Sequence, residues 1–305
     1  MRRFGLALLA VLVAALALPP LWFRLFREPA PELPPPGRRV ALAGGLAVNV
    51  VEEGAGPVAV LVHGLPGMAY DWAPTSAALA ERGWRAIAYD RVGYGWSDAR
   101  PDGGFSVESN AAELLALLEA LGLDRVSVVG WSYGGATAIV ATQRDPSRIS
   151  RLVLVGSAGP GMEASQPPAA LAQIAFSAPV LAWLHAVPPL ARRVQAEASR
   201  EAFSAGPEPD WWRPNLAANF ARPHTPTSWR SEGAAMWRAP MPDPTGLALP
   251  VLVVHGDDDR LVSVEVGREL ARRAPNARLV LVPGGSHMLP VTHAALLAEE
   301  IAAQR

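Results

Sequence analysis

The 305-residue chain has no cysteine, and all 27 of its basic residues are arginine. These two gaps remove a large part of enzyme chemistry. Without a side-chain amine there can be no Schiff-base lysine, no phosphate-loop lysine and no serine–lysine dyad. Without a thiol there is no catalytic cysteine, thiolate zinc site or disulfide, and the missing cysteine fits either redox compartment. Charge of one sign is also lacking: the formal net charge is -1, and no basic run exceeds two residues. That pattern supplies no electrostatic footprint for nucleic acid, and no nucleic-acid partner is expected. Half the residues are hydrophobic, enough for a large core and against disorder. The excess of alanine, arginine, glycine and proline carries no functional information.

The chain opens "MRRFGLALLAVLVAALALPPLWFRLFR", with an uncharged apolar run from Phe4 to Phe23 between arginines. A helix of that length would span roughly 30 Å. The expectation is a single-pass membrane anchor, with Trp22 and Arg24 at the interface. A cleaved signal peptide ending at Ala15-Leu16-Ala17 is the alternative, but the apolar run continues past that site. The short arginine-bearing N-terminus favours an extracytoplasmic catalytic domain, whereas Arg24, Arg27, Arg38 and Arg39 argue the reverse. A proline-rich spacer, "EPAPELPPPGRR", follows.

Beyond the spacer, "VALAGGLAVNVVEEG" reads as a hairpin around Gly44-Gly45. The runs "VAVLVHG", "RAIAYD", "RVSVVG", "RLVLVG", "VLVVHG" and "ARLVLVPG" are continuous, β-branched and apolar, as strands buried on both faces should be. Helical stretches alternate with them. In "SVESNAAELLALLEALGL", Leu114, Leu117, Leu118 and Leu121 recur at helical spacing behind a Ser106 cap. Alternation of this kind predicts an α/β fold with a doubly wound, mostly parallel sheet. One region, Gly159 to Gly246, has many prolines, five tryptophans and no strand run, and is expected to be a helical insertion. No internal repeat is present.

In such sheets chemistry gathers at the carboxyl ends of the strands. Those ends carry His63-Gly64-Leu65-Pro66-Gly67, Asp90-Arg91, Gly130-Trp131-Ser132, Asp257-Asp258-Asp259 and Ser286-His287. In "VVGWSYGGATA", Ser132 stands between Gly130 and Gly134, the spacing of a sharp strand-to-helix turn that exposes a nucleophile. Chance could produce this motif alone. A base and an acid downstream give it weight, and the order Ser, Asp, His along the chain matches one known catalytic solution.

Taken together, "HGLPG", "DRVGYGWSD", "GWSYGG", "HGDDDRLV" and "GGSHMLP" resemble the motifs of the α/β-hydrolase superfamily, in its serine-nucleophile branch with a helical cap. The resemblance covers residues 40–305. It implies Ser132 as nucleophile, His287 as general base and then acid, and Asp259, three residues after Gly256, as the orienting carboxylate. Asp257 and Asp258 are left to fix the turn. The resemblance also implies an oxyanion hole from the backbone N–H groups of Leu65 and Tyr133. His63 and His255 are expected to be structural imidazoles, and His185, His224 and His293 ordinary cap or helix residues. No metal-ligand spacing occurs, so neither a metal nor a cofactor is expected.

Trp183, Trp211, Trp212, Trp229 and Trp237 could line an apolar pocket or fill a helical core. The division that follows is residues 1–27 anchor or signal peptide, 28–39 spacer, 40–158 first part of the core, 159–246 cap and 247–305 second part of the core. The expected activity is hydrolysis of an ester or similar bond in a small, apolar substrate. Lactonase, carbon–carbon bond hydrolase, N-terminal peptidase and perhydrolase remain open, as does a non-catalytic membrane-tethered binding module, although the latter would tend to have lost a triad member. Relatives acting on alkyl halides or epoxides place Asp at the elbow, so Ser132 argues against those reactions.

Overall fold

The computed structural model describes residues 36–101, 103–162, 187–204, 206–236 and 240–303, with a few isolated residues between 14 and 25 and at 180 and 183. Among them eight strands form one sheet in the order β1-β2-β4-β3-β5-β6-β7-β8. The strands are β1 (Arg38–Ala41), β2 (Ala47–Glu53), β3 (Val58–Val62), β4 (Arg85–Tyr89), β5 (Val126–Trp131), β6 (Ile149–Val155), β7 (Val251–Gly256) and β8 (Ala277–Val282). β1 and β2 form the antiparallel hairpin expected around Gly44-Gly45, and β2 pairs antiparallel with β4. All remaining neighbours are parallel.

The continuous apolar runs arise because both faces of the sheet are covered. In β3, Val60 and Val62 pack into one core and Ala59 and Leu61 into the other, following the two-residue side-chain period of a strand. The first core takes up α2 (Val107–Ala120), α3 (Tyr133–Arg144) and α7 (Val264–Arg273); the second takes α1 (Ala73–Glu81) and α9 (Ala294–Ala302). Ser106 begins α2 as its spacing suggests: its Oγ accepts from Ser109 N at 3.2 Å, and Ser109 Oγ accepts from Ser106 N at 2.9 Å. This reciprocal cap satisfies two otherwise orphaned donors.

Between β6 and β7 the described chain forms α4 (Pro188–Phe203), α5 (Trp212–Ala221) and α6 (Thr225–Met236), and the short α8 (Leu289–Thr292) follows β8. Part of the stretch expected to be a cap, including His185 and Trp237, lies outside the described residues. β1 begins at Arg38, two residues inside the expected spacer.

The N-terminus corrects an expectation. Among the described residues no helix is long and apolar enough to cross a membrane. The single-pass anchor is overturned, and with it the membrane location and the extracytoplasmic orientation derived from it. Most of Phe4 to Phe23 lies outside the described residues. Counting apolar residues measures hydrophobicity, whereas crossing needs about 20 residues of continuous helix.

The packing carries a direct consequence. Leu114 is fully buried between α2 and the sheet, so Leu114→Ala should cost about 2–5 kcal/mol, the transfer term plus a cavity. Urea unfolding should show a lower midpoint at unchanged slope; an unchanged midpoint would mean that Leu114 does not bear on the core.

Candidate active site

β5 runs directly into α3, and the junction is Ser132, whose φ of 56° and ψ of −124° lie outside the regions ordinary residues favour. The bend is fixed from three sides. Ser132 N donates to Val155 O, while Ser132 O accepts from Gly135 N and Ala158 N, each at 3.0 Å. The flanking glycines are steric necessities: a Cβ on Gly130 would lie 2.5 Å from Gly134 O, and one on Gly134 would lie 2.2 Å from Val62 O.

Asp259 and His287 come from the loops after β7 and β8. His287 Nδ1 donates to Asp259 Oδ2 at 2.7 Å, an arrangement that leaves Nε2 free to accept a proton. Asp259 Oδ1 accepts from Leu261 N at 2.9 Å and Val262 N at 2.8 Å. Burial would raise the Asp259 carboxyl, but the charge and hydrogen bonds of His287 and His255 outweigh it and hold the group well below the usual carboxylate range. Ser132 and His287 line one cavity.

The other two aspartates do different things. Asp257 Oδ1 accepts from Gly284 N at 2.6 Å, tying the β7 loop to the β8 loop. Asp258 is directed to Arg260 at 3.4 Å on the exposed surface. The amides of Leu65 and Tyr133 donate to no other group among the described residues. His63 has both ring nitrogens engaged, Nδ1 with Gly64 O and Nε2 with Arg91 N, each at 2.9 Å. Burial and the Arg91 charge push its pKa well below the usual value, which keeps it neutral.

Two residues support Asp259 and His287 in ways that the motifs do not specify. His255 Nε2 lies 2.9 Å from Val262 O and 3.4 Å from Asp259 Oδ2, behind the carboxylate. Trp131 donates its indole N–H to His287 O at 2.9 Å, which steadies the loop carrying the imidazole. Neither position carries a signal beyond its place at a strand end. Of the tryptophans between β6 and β7, Trp212 and Trp229 line the cavity, and Trp211 packs edge-on against Tyr70 and Trp212.

The cavity has a volume of about 150 Å³ among the described residues. Its walls are Leu65, Pro66, Trp131 and Met288 from the core, with Leu216, Phe220 and other apolar residues from α4 and α5. Among the described residues, Gln195 and Ser199 are the polar side chains that line it beyond Ser132 and His287.

The family model for the alpha/beta hydrolase fold matches residues 57–294. The chain belongs to this family. It is 31% identical over 272 residues to the 2-hydroxymuconate semialdehyde hydrolase of Pseudomonas putida, covering 87% of this chain and 92% of that protein. It is 29% identical over 262 residues to a putative non-heme chloroperoxidase of Synechocystis sp., covering 79% and 88% of the two chains. Among solved structures, an esterase from Exiguobacterium antarcticum superposes with a TM-score of 0.73 at 22% identity, over 88% of this chain and 98% of that one; at that identity the likeness establishes the fold.

One buried carboxyl of this hydrolase fold behaves unlike Asp259. Asp71, just after the Leu65 loop, accepts from Met68 N at 2.9 Å, yet burial, with the nearby Asp90 charge adding to it, pushes its pKa up to about 8. Between the ordinary value of 3.8 and about 8, the folded state retains a proton that the unfolded chain has released, so stability falls as pH rises across that window. Asp71→Asn preserves the acceptor and abolishes this titration. Its melting temperature relative to the parent should climb from pH 5 to pH 8; a constant gap would show that Asp71 is ionised in the folded protein.

Proposed function

We propose that the protein is a serine hydrolase that cleaves an ester, or a chemically similar bond, in a small apolar substrate. The observation that carries this reading is the 2.7 Å hydrogen bond between Asp259 and His287, beside a serine held at a strained bend on the same cavity. Ser132 Oγ attacks the acyl carbon while His287 Nε2 takes its proton. Asp259, ionised, keeps the imidazole in the tautomer that can do so and stabilises the imidazolium. The oxyanion is met by the amides of Leu65 and Tyr133, which need no reorganisation as charge develops.

Collapse of the tetrahedral species expels the leaving group, protonated by His287, and leaves Ser132 acylated. Water then attacks the acyl-enzyme with His287 again as base, and the acid product and free Ser132 result. The apolar walls and the volume of about 150 Å³ suit a short or monocyclic acyl group, since cavities of about that size take up benzene.

Carbon–carbon bond hydrolysis is the second reading. It is supported by the 31% identity to the Pseudomonas putida hydrolase across most of both chains. The two readings differ in what the pocket must tolerate: a muconate-type substrate brings a carboxylate against walls that, among the described residues, are apolar apart from Gln195, Ser199 and the reacting residues. A panel of p-nitrophenyl esters of graded chain length, run beside lactones and a 2-hydroxy-6-oxo-dienoate, separates them. Turnover best with short acyl chains supports the ester reading; turnover of the dienoate alone would replace it.

Ser132→Ala should lower kcat on the order of 10⁶-fold in a folded protein. Asp259→Asn should lower it about 10⁴-fold by favouring the wrong imidazole tautomer, whereas Asp257→Asn and Asp258→Asn should cost far less. Steady-state kinetics on the best ester decide both points, and greatest sensitivity at Asp258 would reassign the acid.

A further inference from the structure

Glu232 of α6 is fully buried and sits at the centre of a polar network joining the cap to the core. It accepts from Arg91 Nη1 at 2.5 Å and Nη2 at 3.0 Å. It also accepts from Tyr94 Oη at 2.7 Å and Asn110 Nδ2 at 2.5 Å. Arg91, itself 1% exposed, donates onward to Gly64 O at 2.9 Å and His63 O at 3.2 Å. Gly64 O also accepts from His63 Nδ1 at 2.9 Å.

The chemistry of the peptide unit gives this network a target. The Gly64 carbonyl and the Leu65 N–H belong to one rigid plane. Two donors on that oxygen therefore fix where the N–H points, and by polarising the amide they strengthen it as a donor. The far end of the same loop is held by the cap as well: Asn219 of α5 donates to Gly67 O at 3.1 Å and accepts from Gly95 N at 3.0 Å. A buried ion pair is seldom a net stabiliser compared with apolar replacements of the same volume, which leaves geometry as the contribution to be explained.

We propose that Glu232 is a positioning residue for the oxyanion hole, acting through Arg91 and the Gly64 carbonyl on the Leu65 N–H. The seated cap is then a condition for fast acyl transfer as well as a wall of the pocket. The proposal rests on the reading of Leu65 N–H as an oxyanion donor, and Ser132→Ala serves as its control. If Ser132→Ala keeps full turnover, the acyl-transfer reading fails; if it is inactive while Glu232→Gln matches the parent, only the positioning role fails.

In the full chain, Glu232→Gln should lower kcat on the order of 10- to 100-fold, a fraction of the loss seen when an oxyanion donor is removed outright, with KM within about threefold. Phenylboronic acid, which forms a tetrahedral adduct on a serine, should bind the variant more weakly by a similar factor. Arg91→Met combined with Glu232→Gln removes the unbalanced charge but not the need for donors on Gly64 O, so its kcat should stay low. Recovery of kcat in that double variant, or a lowered melting temperature in Glu232→Gln with kcat and boronate affinity unchanged, would reduce the network to a structural role and overturn the proposal. Should Glu232→Gln fail to fold, Tyr94→Phe removes one hydrogen bond and no charge: lower kcat at constant KM supports positioning, and unchanged kcat overturns it.

Discussion

The backbone at Ser132, held at φ 56° and ψ −124°, costs about 1–3 kcal/mol in an ordinary residue, and the surrounding structure must over-determine it. β5 lies between β3 and β6, and both neighbours take part. β6 supplies Val155 O, and the segment after it supplies Ala158 N, so both polar groups of the Ser132 backbone are occupied. β3 ends so close to α3 that only a glycine fits at position 134. The same crowding that forces the bend brings the Leu65 loop, which follows β3, to Ser132: a Cβ on Gly64 would lie 3.0 Å from Ser132 Cβ. The sheet order thus settles which loops can meet the serine before any side chain is considered.

Two buried aspartates of the same chain show how environment assigns opposite protonation states. Asp259 receives two backbone N–H groups on one oxygen and two imidazoles on the other, enough to offset its desolvation and keep it charged. Asp71 receives one backbone N–H and faces the charge of Asp90, so the cheaper state is neutral. Asp90 is intermediate: its oxygens accept from Ala69 N, Trp96 N and the Asn49 side chain, yet burial, the largest influence, still raises its pKa. The difference between a charged buried carboxylate and a neutral one lies in the donors aimed at it, not in depth alone.

The strands were legible because a continuous β-branched apolar run bounded by glycine fits little besides a strand covered on both faces; "VLVVHG" corresponds to β7 residue for residue. The Ser106 cap and the leucine spacing of α2 were legible because both are local. Strand order was not, since pairings such as Val50 with Tyr89 leave no periodic trace. Ser132, Asp259 and His287 could be proposed from motifs and chain order. Glu232 could not: it lies 141 residues from Arg91 in the unremarkable stretch "SWRSEGAAMW". Thr225, Ser228 and Glu232 form a polar stripe at helical spacing that would ordinarily face water, whereas all three are fully buried against the core. The N-terminal run misled in the opposite direction, because apolar composition measures hydrophobicity and not the length of continuous helix that crossing a membrane needs.

The helices between β6 and β7 meet the core through two kinds of surface, and they ask different things of the sequence. α4 and α5 present apolar side chains to the cavity, and at its mouth Val194 and Leu261 remain 44% exposed; contacts of this kind are non-directional and tolerate exchange of one apolar group for another. α6 and Asn219 instead present hydrogen bonds to backbone carbonyls and to a buried guanidinium, where geometry is unforgiving and a missing partner leaves a desolvated group. On the proposed reading, substitutions in the first surface would redistribute preference among substrates, while those in the second would change the rate for all of them. On that reading these helices can vary the pocket without disturbing the Leu65 amide, because the residues that shape the cavity are not the ones that hold the loop.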